Sequence, residues 1–309
     1  MRTLTAEKEG PLLDYLFQAL QDTKKTRIRE LLKLKCISVN GVVTTHHRHP
    51  LLPGDKISIQ TGKKEFQVQP YWNVEIVYED DYLVVAQKPS GLLTIATEKV
   101  QKQTAFYSVN EYLNRKERAH EHSRHHSHFQ KLKLKKEIFI VHRLDRDTSG
   151  LLVFAKDEDV KFWMQENWGK VRKSYYAVVE GFPKEKAGTV TSFLRETKIL
   201  RMISSPHEVP DSKFAITHYK VLEAGPAYSL LEIDLETGRK HQIRVHLAGL
   251  GCPVAGDKDY GAKTNPAGRL ALHAYALSFE HPVTGERKEF RSDLPPPLKR
   301  LLQNTLRPL

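Results

Sequence analysis

The sequence predicts an α+β protein, because helical and strand patterns both occur along the chain. The apolar run at residues 151–155 has the composition of a buried strand. Residues 76–91 show two strand patterns that are separated by an acidic turn and followed by a tight turn. A helix is predicted near the start, where apolar side chains recur at helical spacing at Leu12, Leu13, Leu16, Phe17 and Leu20.

Length and charge restrict the classes of partner. The 309 residues suffice for one large domain or two unequal ones, and 49 Lys and Arg against 37 Asp and Glu give a net charge of +12. This charge favours a polyanion, either nucleic acid or an anionic membrane surface. No window approaches the roughly 20 apolar residues that cross a bilayer, and residues 1–9 contain no apolar signal core. We therefore expect a nucleic-acid partner and no membrane.

The two cysteines, Cys36 and Cys252, lie far apart and in no metal-binding spacing. A disulfide framework is therefore excluded, and a reducing, cytoplasmic location is expected. The sequence also contains no glycine-rich phosphate loop.

The first sixty residues combine a basic helix with strands linked by turns. A second helical pattern covers residues 26–34, and strands are predicted around Asn40-Gly41 and after Pro53-Gly54. Together with the spacing Lys24-x-x-Arg27, this pattern resembles the S-four-like RNA-binding domain, which is named after a ribosomal protein.

This resemblance implies a small α/β RNA-binding domain over residues 10–62, whose cations contact phosphates without reading sequence. The cations assigned to this contact are Lys24, Lys25, Arg27, Arg29 and Lys33. A solvated charged helix face would show the same run of charges. Residues 60–71 are the expected linker, and the second domain is expected over residues 72–305.

A cluster of ionisable groups begins at His142 with the order His-Arg-Leu-Asp-Arg-Asp and continues through Thr-Ser-Gly into the apolar run. The polar part predicts a loop at the mouth of the buried strand. A carboxylate between arginines at a strand end is typical of a reactive site, but also of a salt-bridged turn. The local pattern leaves both interpretations open.

Several motifs, in order, resemble the pseudouridine synthases that modify large-subunit ribosomal RNA and related targets. They occupy residues 76–91, 142–156, 173–181 and 236–247, with weaker ones at 253–261 and 272–282. The resemblance extends from about Trp72 to Leu301. It implies a mixed, mostly antiparallel sheet with flanking helices, and the isomerisation of uridine to pseudouridine without a cofactor.

That reaction breaks the N1–C1′ bond, turns the base and joins C5 to C1′, so it needs a carboxylate near the sugar. The resemblance assigns this role to Asp145, which either attacks C1′ or helps to remove the C2′ proton. Asp147 is the rival, but an aspartate just before Thr-Ser-Gly commonly stabilises a turn. A glycosidase would need two cooperating carboxylates, and no further acidic pair stands out.

Strand alternation places Lys173 and Tyr175 on one face, from which both can project into the same space. By its pattern alone, Tyr175 fits an ordinary core aromatic. The resemblance makes it the tyrosine that stacks on the target base. Lys173, on the same face, is predicted to contact RNA. Arg143 resembles the arginine that enters the RNA and holds the flipped state; an ion pair to Asp147 is the alternative.

A helix is predicted over residues 239–250, with Thr237 and Gly238 at its start. Its apolar stripe would face the core at Ile243, Leu247 and Leu250. Arg244 would leave the helix at the margin of the core, where a partly buried guanidinium needs a carboxylate partner. The resemblance implies that this partner is Asp145.

Two segments contain histidines that are candidates for metal binding. His241 and His246 lie about 140° apart around the helix axis, so they cannot share a metal. A basic, histidine-dense insertion at about residues 115–136 follows a helix predicted over 104–115. It could bind metal, but a basic loop that contacts RNA is favoured, and deletion of residues 118–135 is predicted to weaken RNA binding and spare folding.

Three function classes follow. The leading one is a pseudouridine synthase for structured RNA, with large-subunit ribosomal RNA favoured by the S-four-like domain and transfer RNA as the alternative. The others are a catalytically silent RNA-binding or ribosome-assembly protein, and a hydrolase of nucleoside glycosidic bonds. A cytoplasmic monomer is expected.

Overall fold

The structure is a computed structural model that describes residues 2–33, 36–59, 74–123 and 137–305. The chain divides into two compact units, Met1–Gln67 and Val68–Leu309. The predicted linker, residues 60–71, lies outside the described residues. No helix in the described part of the chain is both long and apolar enough to span a membrane.

The smaller unit packs two helices against short antiparallel strands. Its described elements are β1 (Arg2–Thr5), β2 (Gly10–Pro11), α1 (Leu12–Ala19), α2 (Lys25–Lys33), β3 (Ile37–Val39), β4 (Val42–Val43), β5 (Pro50–Leu51) and β6 (Lys56–Ile59). One sheet has the order β1-β6-β3-β4, and β2 pairs with β5. The predicted helices and strands are confirmed, and positive φ angles at Asn40 and Gly41 form the tight turn between β3 and β4.

The larger unit is built around one large sheet. Its described elements are β7 (Glu75–Glu79), β8 (Leu83–Lys88), α3 (Ala105–Ser123), β9 (Phe139–Ile140), β10 (Ser149–Ala155), α4 (Glu158–Glu166), β11 (Arg172–Glu180), β12 (Ala187–Glu196), β13 (Met202–Ser205), β14 (Lys213–Ala224), β15 (Tyr228–Leu235), α5 (Gln242–Gly249), β16 (Leu272–Glu280), β17 (Arg287–Arg291) and α6 (Pro296–Thr305). Short 3₁₀ turns cover Trp168–Lys170 and Lys258–Tyr260.

The strand order of this sheet is β13-β12-β14-β15-β11-β16-β10-β8-β7, while β17 pairs with β16 and β9 with β10. Among the described strands, β10 and β16 form the single parallel pair, with Ser149 opposite His273 and Gly150 opposite Ala274. At Gly150, a Cβ atom would lie 2.2 Å from the Ala274 carbonyl oxygen, so only glycine fits. The predicted α+β class with a mixed, mostly antiparallel sheet and flanking helices is confirmed.

The buried strand is also confirmed, because all seven residues of β10 are buried. Leu152 and Phe154 pack into a core cluster with residues of α3, whereas Leu151 and Val153 pack into another with residues of α4. Since both faces are covered, the sequence shows a continuous apolar run rather than an alternating one. The strand begins at Ser149, because Ser149 and Gly150 pair with β16.

Two helix predictions are corrected. Helix α5 begins at Gln242 rather than near Gly238, because His241 adopts a left-handed conformation that interrupts the helical backbone before it. Ile243 and Leu247 are buried as predicted, but Leu250 is exposed. Helix α3 continues past Arg115 to Ser123, and the rest of the predicted insertion, residues 124–136, lies outside the described residues.

Candidate active site

An open cleft lies between the loop before β10, strand β11 and the start of α5. Apolar side chains line part of it, including Leu144, Leu235 and Ile243. Its polar lining combines one carboxylate, one phenol, one imidazole and three guanidinium groups, which belong to Asp145, Tyr175, His241, Arg143, Arg239 and Arg244. The structure therefore brings together four of the predicted site residues, Asp145, Tyr175, Arg244 and Arg143, from three separate parts of the sequence.

The backbone on both sides of Asp145 is held by hydrogen bonds. The Thr94 hydroxyl donates to the Leu144 carbonyl oxygen at 2.7 Å and accepts from the Leu144 amide at 3.1 Å. The Thr148 amide donates to the Asp145 carbonyl oxygen at 3.2 Å, which closes the turn that leads into β10. Asp145 is thus presented to the cleft by a fixed loop.

Lys88 supports this loop from inside the protein. It is fully buried, and its amine donates to the carbonyl oxygens of Pro89, Leu92 and Arg146 at 2.9, 2.7 and 2.8 Å. Burial lowers the pKa of Lys88 to about 7, while the charge of Asp147 acts in the opposite direction. The sequence motif at residues 76–91 contains Lys88, but sequence reasoning gave it no role.

The Asp145 carboxylate lies between two donors. Its Oδ2 atom is 3.7 Å from Arg244 Nη1, and its Oδ1 atom is 3.8 Å from His241 Nε2. Both distances are too long for direct hydrogen bonds, and 21% of the side chain is exposed to the cleft. The carboxylate is therefore near positive and polar groups but keeps its oxygens available.

Arg244 forms the predicted ion pair with Asp145 at 3.7 Å, but its hydrogen-bonded partner is Asp257. Arg244 donates to the two Asp257 oxygens at 2.6 and 2.7 Å, and to Asp259 at 3.0 Å. Burial acts to lower the pKa of Arg244, but the hydrogen bonds and charge of Asp257 outweigh it and raise this pKa. Since the Asp257 side chain is 1% exposed, the pair is a buried bidentate ion pair, with Asp145 at a longer distance.

Tyr175 and Lys173 have different surroundings. The Tyr175 side chain lines the cleft, and burial together with the charge of Asp145 raises the pKa of its phenol. Lys173 is 5% exposed, and its amine donates to the Trp168 carbonyl oxygen at 3.0 Å. Because this amine is buried and bonded, the structure does not support the predicted RNA contact of Lys173.

Two other ionisable residues near Asp145, His142 and Asp147, have partners within the protein. The His142 ring stacks on Trp168 at 4.3 Å, and Nε2 accepts from the Val153 amide at 3.1 Å. Burial lowers the pKa of His142 to about 3, so the ring is neutral and structural. Asp147 pairs with Arg146 at 3.2 Å, and no ion pair joins Arg143 to Asp147 among the described residues.

Arg143 lines the cleft with an exposed side chain. Within the described residues, no ion pair or hydrogen bond engages its guanidinium. An exposed guanidinium at the mouth of the cleft can donate several hydrogen bonds to a bound molecule.

The two histidines considered for metal binding have separate protein partners. The buried His246 ring bonds Ser192 at 2.9 Å and Thr217 at 2.8 Å, while His241 Nδ1 lies 2.9 Å from the Tyr260 hydroxyl. No group of side chains with metal-ligand geometry occurs in the part of the chain that the structure describes.

Sequence reasoning missed four residues around the cleft: Arg239, His241, Asp257 and Tyr260. All four lie in motifs that the sequence analysis singled out, at residues 236–247 and 253–261. The need of a buried guanidinium for a carboxylate could have pointed to Asp257, because it lies thirteen residues after Arg244.

In the smaller unit, the predicted cations lie on α2 and at its start. Lys24, Lys25 and Arg29 are exposed, and the Arg27 guanidinium pairs with Glu30 at 3.0 Å. Lys25 and Arg29 also lie over the Phe17 ring, at 5.4 and 5.0 Å from its centre. The Lys33 side chain lies outside the described residues.

Comparisons with known proteins agree on one family. The family model described as RNA pseudouridylate synthase matches residues 82–249. An uncharacterized RNA pseudouridine synthase of Bacillus subtilis is 32% identical and covers 98% of this chain and 96% of its own length. A protein of Nitrosomonas europaea named ribosomal large subunit pseudouridine synthase D is 34% identical, over 93% of this chain and 82% of its own.

Solved structures give the same result. The human protein titled RNA pseudouridylate synthase domain containing 4 superposes with a TM-score of 0.57 at 26% sequence identity. The match covers 76% of this chain and 95% of the human chain.

Proposed function

The chain belongs to the RNA pseudouridylate synthase family, and from this premise we propose that it modifies large-subunit ribosomal RNA with Asp145 as its catalytic carboxylate. The family isomerises uridine in RNA to pseudouridine. Relatives named ribosomal large subunit pseudouridine synthase D, which are 30–34% identical to this chain, support the choice of target. The observation that carries the catalytic assignment is the position of Asp145 in the cleft, between Arg244 and His241.

Asp145 is the carboxylate that a sugar-directed step requires. It can attack C1′ and displace N1, or take the C2′ proton so that the N1–C1′ bond breaks through a glycal. In both routes the detached base turns and C5 bonds to C1′, which releases the Asp145 carboxylate in the first route and is accompanied by return of the proton to C2′ in the second. The C5 proton then leaves, and N1 takes up a proton. Both routes use the carboxylate in its ionised form, and Arg244 lies beside it at 3.7 Å.

Tyr175 and Arg143 act on the base and on the RNA. The Tyr175 ring lies close enough to Asp145 for the carboxylate charge to raise its pKa, and a ring at that position can stack on the extruded uracil. Arg143 is exposed at the cleft and unengaged by described residues, so its guanidinium is available to fill the space that the flipped base leaves.

The smaller unit is proposed to supply affinity without sequence reading. Lys24, Lys25 and Arg29 present exposed positive charge along one helix and its start, which suits contact with phosphates. The S-four-like identity of this unit stays a prediction from the sequence pattern, as do the domain bounds 10–62 and 72–305, the cytoplasmic location and the monomeric state.

The target can be tested by mapping pseudouridine in cells with and without the gene, using a chemical modification that stops reverse transcription at pseudouridine. We expect at least one stop in large-subunit ribosomal RNA to disappear with the gene. A stop lost only from transfer RNA would contradict the proposed target.

The reaction can be tested with RNA that carries tritium at uridine C5. Isomerisation releases tritium and keeps the base attached, whereas a hydrolase would release free uracil. A silent RNA-binding protein would release neither.

A further inference from the structure

The residue before α5 has an unusual backbone conformation. His241 has φ 52° and ψ 19°, a left-handed geometry that few residues other than glycine adopt. Strained residues of this kind are held in place by their surroundings and are frequent at active sites. Here the conformation carries the imidazole to the cleft lining, next to Asp145.

We propose that His241 is a positioning residue for the catalytic carboxylate, and that the Tyr260 hydroxyl fixes the imidazole tautomer that this role requires. The inference rests on the proposed catalytic role of Asp145 and adds one further functional residue to it. The hydrogen bonds of Tyr260 carry it.

The hydrogen bonds around Tyr260 define where each proton lies. The Met202 amide can only donate, and it donates to the Tyr260 oxygen at 3.2 Å. In the described part of the chain, the remaining partner of the hydroxyl is His241 Nδ1 at 2.9 Å. The arrangement that places the hydroxyl proton in a hydrogen bond to a described residue directs it to Nδ1, and the proton of a neutral imidazole then resides on Nε2.

The protonated Nε2 faces the Asp145 carboxylate. It lies 3.8 Å from Oδ1, while Arg244 Nη1 lies 3.7 Å from Oδ2. Each carboxylate oxygen thus has one donor beside it, which limits rotation of the carboxyl group. A small closure on substrate binding would turn both contacts into hydrogen bonds.

Tyr260 contacts both donors of Asp145. Its ring meets the His241 ring edge-on at 5.6 Å, and the Arg244 guanidinium lies over it at 4.8 Å. Burial lowers the pKa of His241, a shift that Asp145 opposes and that Arg244 and Lys240 reinforce. The ring is therefore neutral near pH 7, and its tautomer decides whether it donates to Asp145 or repels it.

The tautomer can be measured directly by nitrogen NMR on the full chain labelled with ¹⁵N-histidine. The His241 signals are identified by their loss in His241→Gln. We expect a protonated Nε2 in the wild-type protein and a mixture of tautomers in Tyr260→Phe. A wild-type ring that is protonated on Nδ1 would overturn the proposal, and this result does not depend on the choice of RNA.

The positioning role is tested by two substitutions of equal length at the same strained position. His241→Gln keeps an N–H donor near the place of Nε2, whereas His241→Met does not. With C5-tritiated RNA from cells that lack the gene, His241→Met should slow single-turnover release about tenfold, as expected for one lost hydrogen bond. His241→Gln should recover a large part of that rate, and RNA dissociation constants should stay within about twofold.

A double-mutant cycle distinguishes an effect of Tyr260 through the His241 tautomer from a merely structural role of Tyr260. If its hydroxyl acts through the His241 tautomer, Tyr260→Phe slows the wild-type enzyme but adds little to His241→Gln. Equal slowing in both backgrounds, or equal rates for His241→Gln and His241→Met, would overturn the proposal. If wild-type protein released no tritium from this RNA, the proposed target would fail instead, while the NMR result would still decide the tautomer.

Discussion

The buried end of the active site, at Arg244 and Asp257, and its open end, at Asp145 and Arg143, differ in how the charges are paired. At the buried end, Arg244 and Asp257 form a bidentate pair that is almost fully shielded from solvent. At the open end, Asp145 has no direct hydrogen bond to either neighbouring donor, and the Arg143 side chain is exposed.

The buried pair therefore holds Arg244 in place, whereas the Asp145 carboxylate stays available for the reaction. Because Asp257 neutralises the Arg244 charge, Arg244 can sit beside Asp145 without taking up its oxygens.

The largest effect is expected at the open end from Asp145→Asn. Removal of the carboxylate should reduce tritium release by about a thousandfold or more, in the range of other losses of a catalytic nucleophile or base. RNA affinity should change little, because the amide has nearly the same shape. Asp147→Asn is the matched control, since that side chain pairs with the exposed Arg146. Equal losses in the two variants would contradict the assignment of Asp145.

Substitution at the buried end should mainly lower the stability of the protein. Asp257→Ala leaves the Arg244 charge uncompensated, and we expect a loss of about 3–5 kcal/mol in the free energy of unfolding, measured by urea denaturation. The control is Asp259→Ala, because the Asp259 side chain is 73% exposed and such pairs contribute about 0–1 kcal/mol. Similar values for both variants would show that the buried pair is not distinct from the exposed one.

A smaller effect is expected from Arg143→Ala. Turnover of folded RNA should fall by about tenfold, the effect of roughly one charge-assisted hydrogen bond, while stability stays within about 0.5 kcal/mol. Arg146→Ala, in the same loop, is the control. The loss should shrink on a short single-stranded RNA, because no vacated stack has to be filled there. An equal loss on both RNAs would contradict a role in base flipping.

The smallest effect is expected from the basic helix of the smaller unit. Replacing Lys24 and Lys25 together by Gln should weaken RNA binding a few-fold and reduce the slope of log affinity against log salt by about 1.5, as expected for two lost phosphate contacts. Turnover at saturating RNA should not change. Lys8 and Lys56, which are exposed elsewhere in the same unit, provide the control double variant. An unchanged salt slope would indicate a merely solvated helix face.

The elements that the sequence predicted well are those whose pattern is set by local burial or by local backbone conformation. Strand β10 is covered on both faces and shows a continuous apolar run, and the turn at Asn40-Gly41 follows from the positive φ that these residues tolerate. The grouping of Asp145, Tyr175 and Arg244 came from the family resemblance, since residues from three distant motifs cannot be placed together by periodicity.

The errors arose where tertiary contacts override local pattern. The start of α5 depends on the left-handed His241, whose ring is tied to Tyr260, and no propensity encodes that contact. Asp257 was missed as the hydrogen-bonded partner of Arg244, because the fold decides which carboxylate comes within hydrogen-bond distance. Lys173 alternates correctly along β11, but its long side chain reaches a backbone carbonyl instead of the cleft.

The hydrogen bonds that hold the Asp145 loop join parts of the chain that are far apart in sequence. Thr94 and Leu144 are 50 positions apart, and Lys88 and Arg146 are 58, while Gly150 meets Ala274 across the parallel pair. Contacts of such long range form only after the entropy of closing large loops has been overcome. We therefore expect the active site to be among the last parts of the larger unit to take shape, so that a growing chain still lacking β16 could not act on RNA before its synthesis is complete.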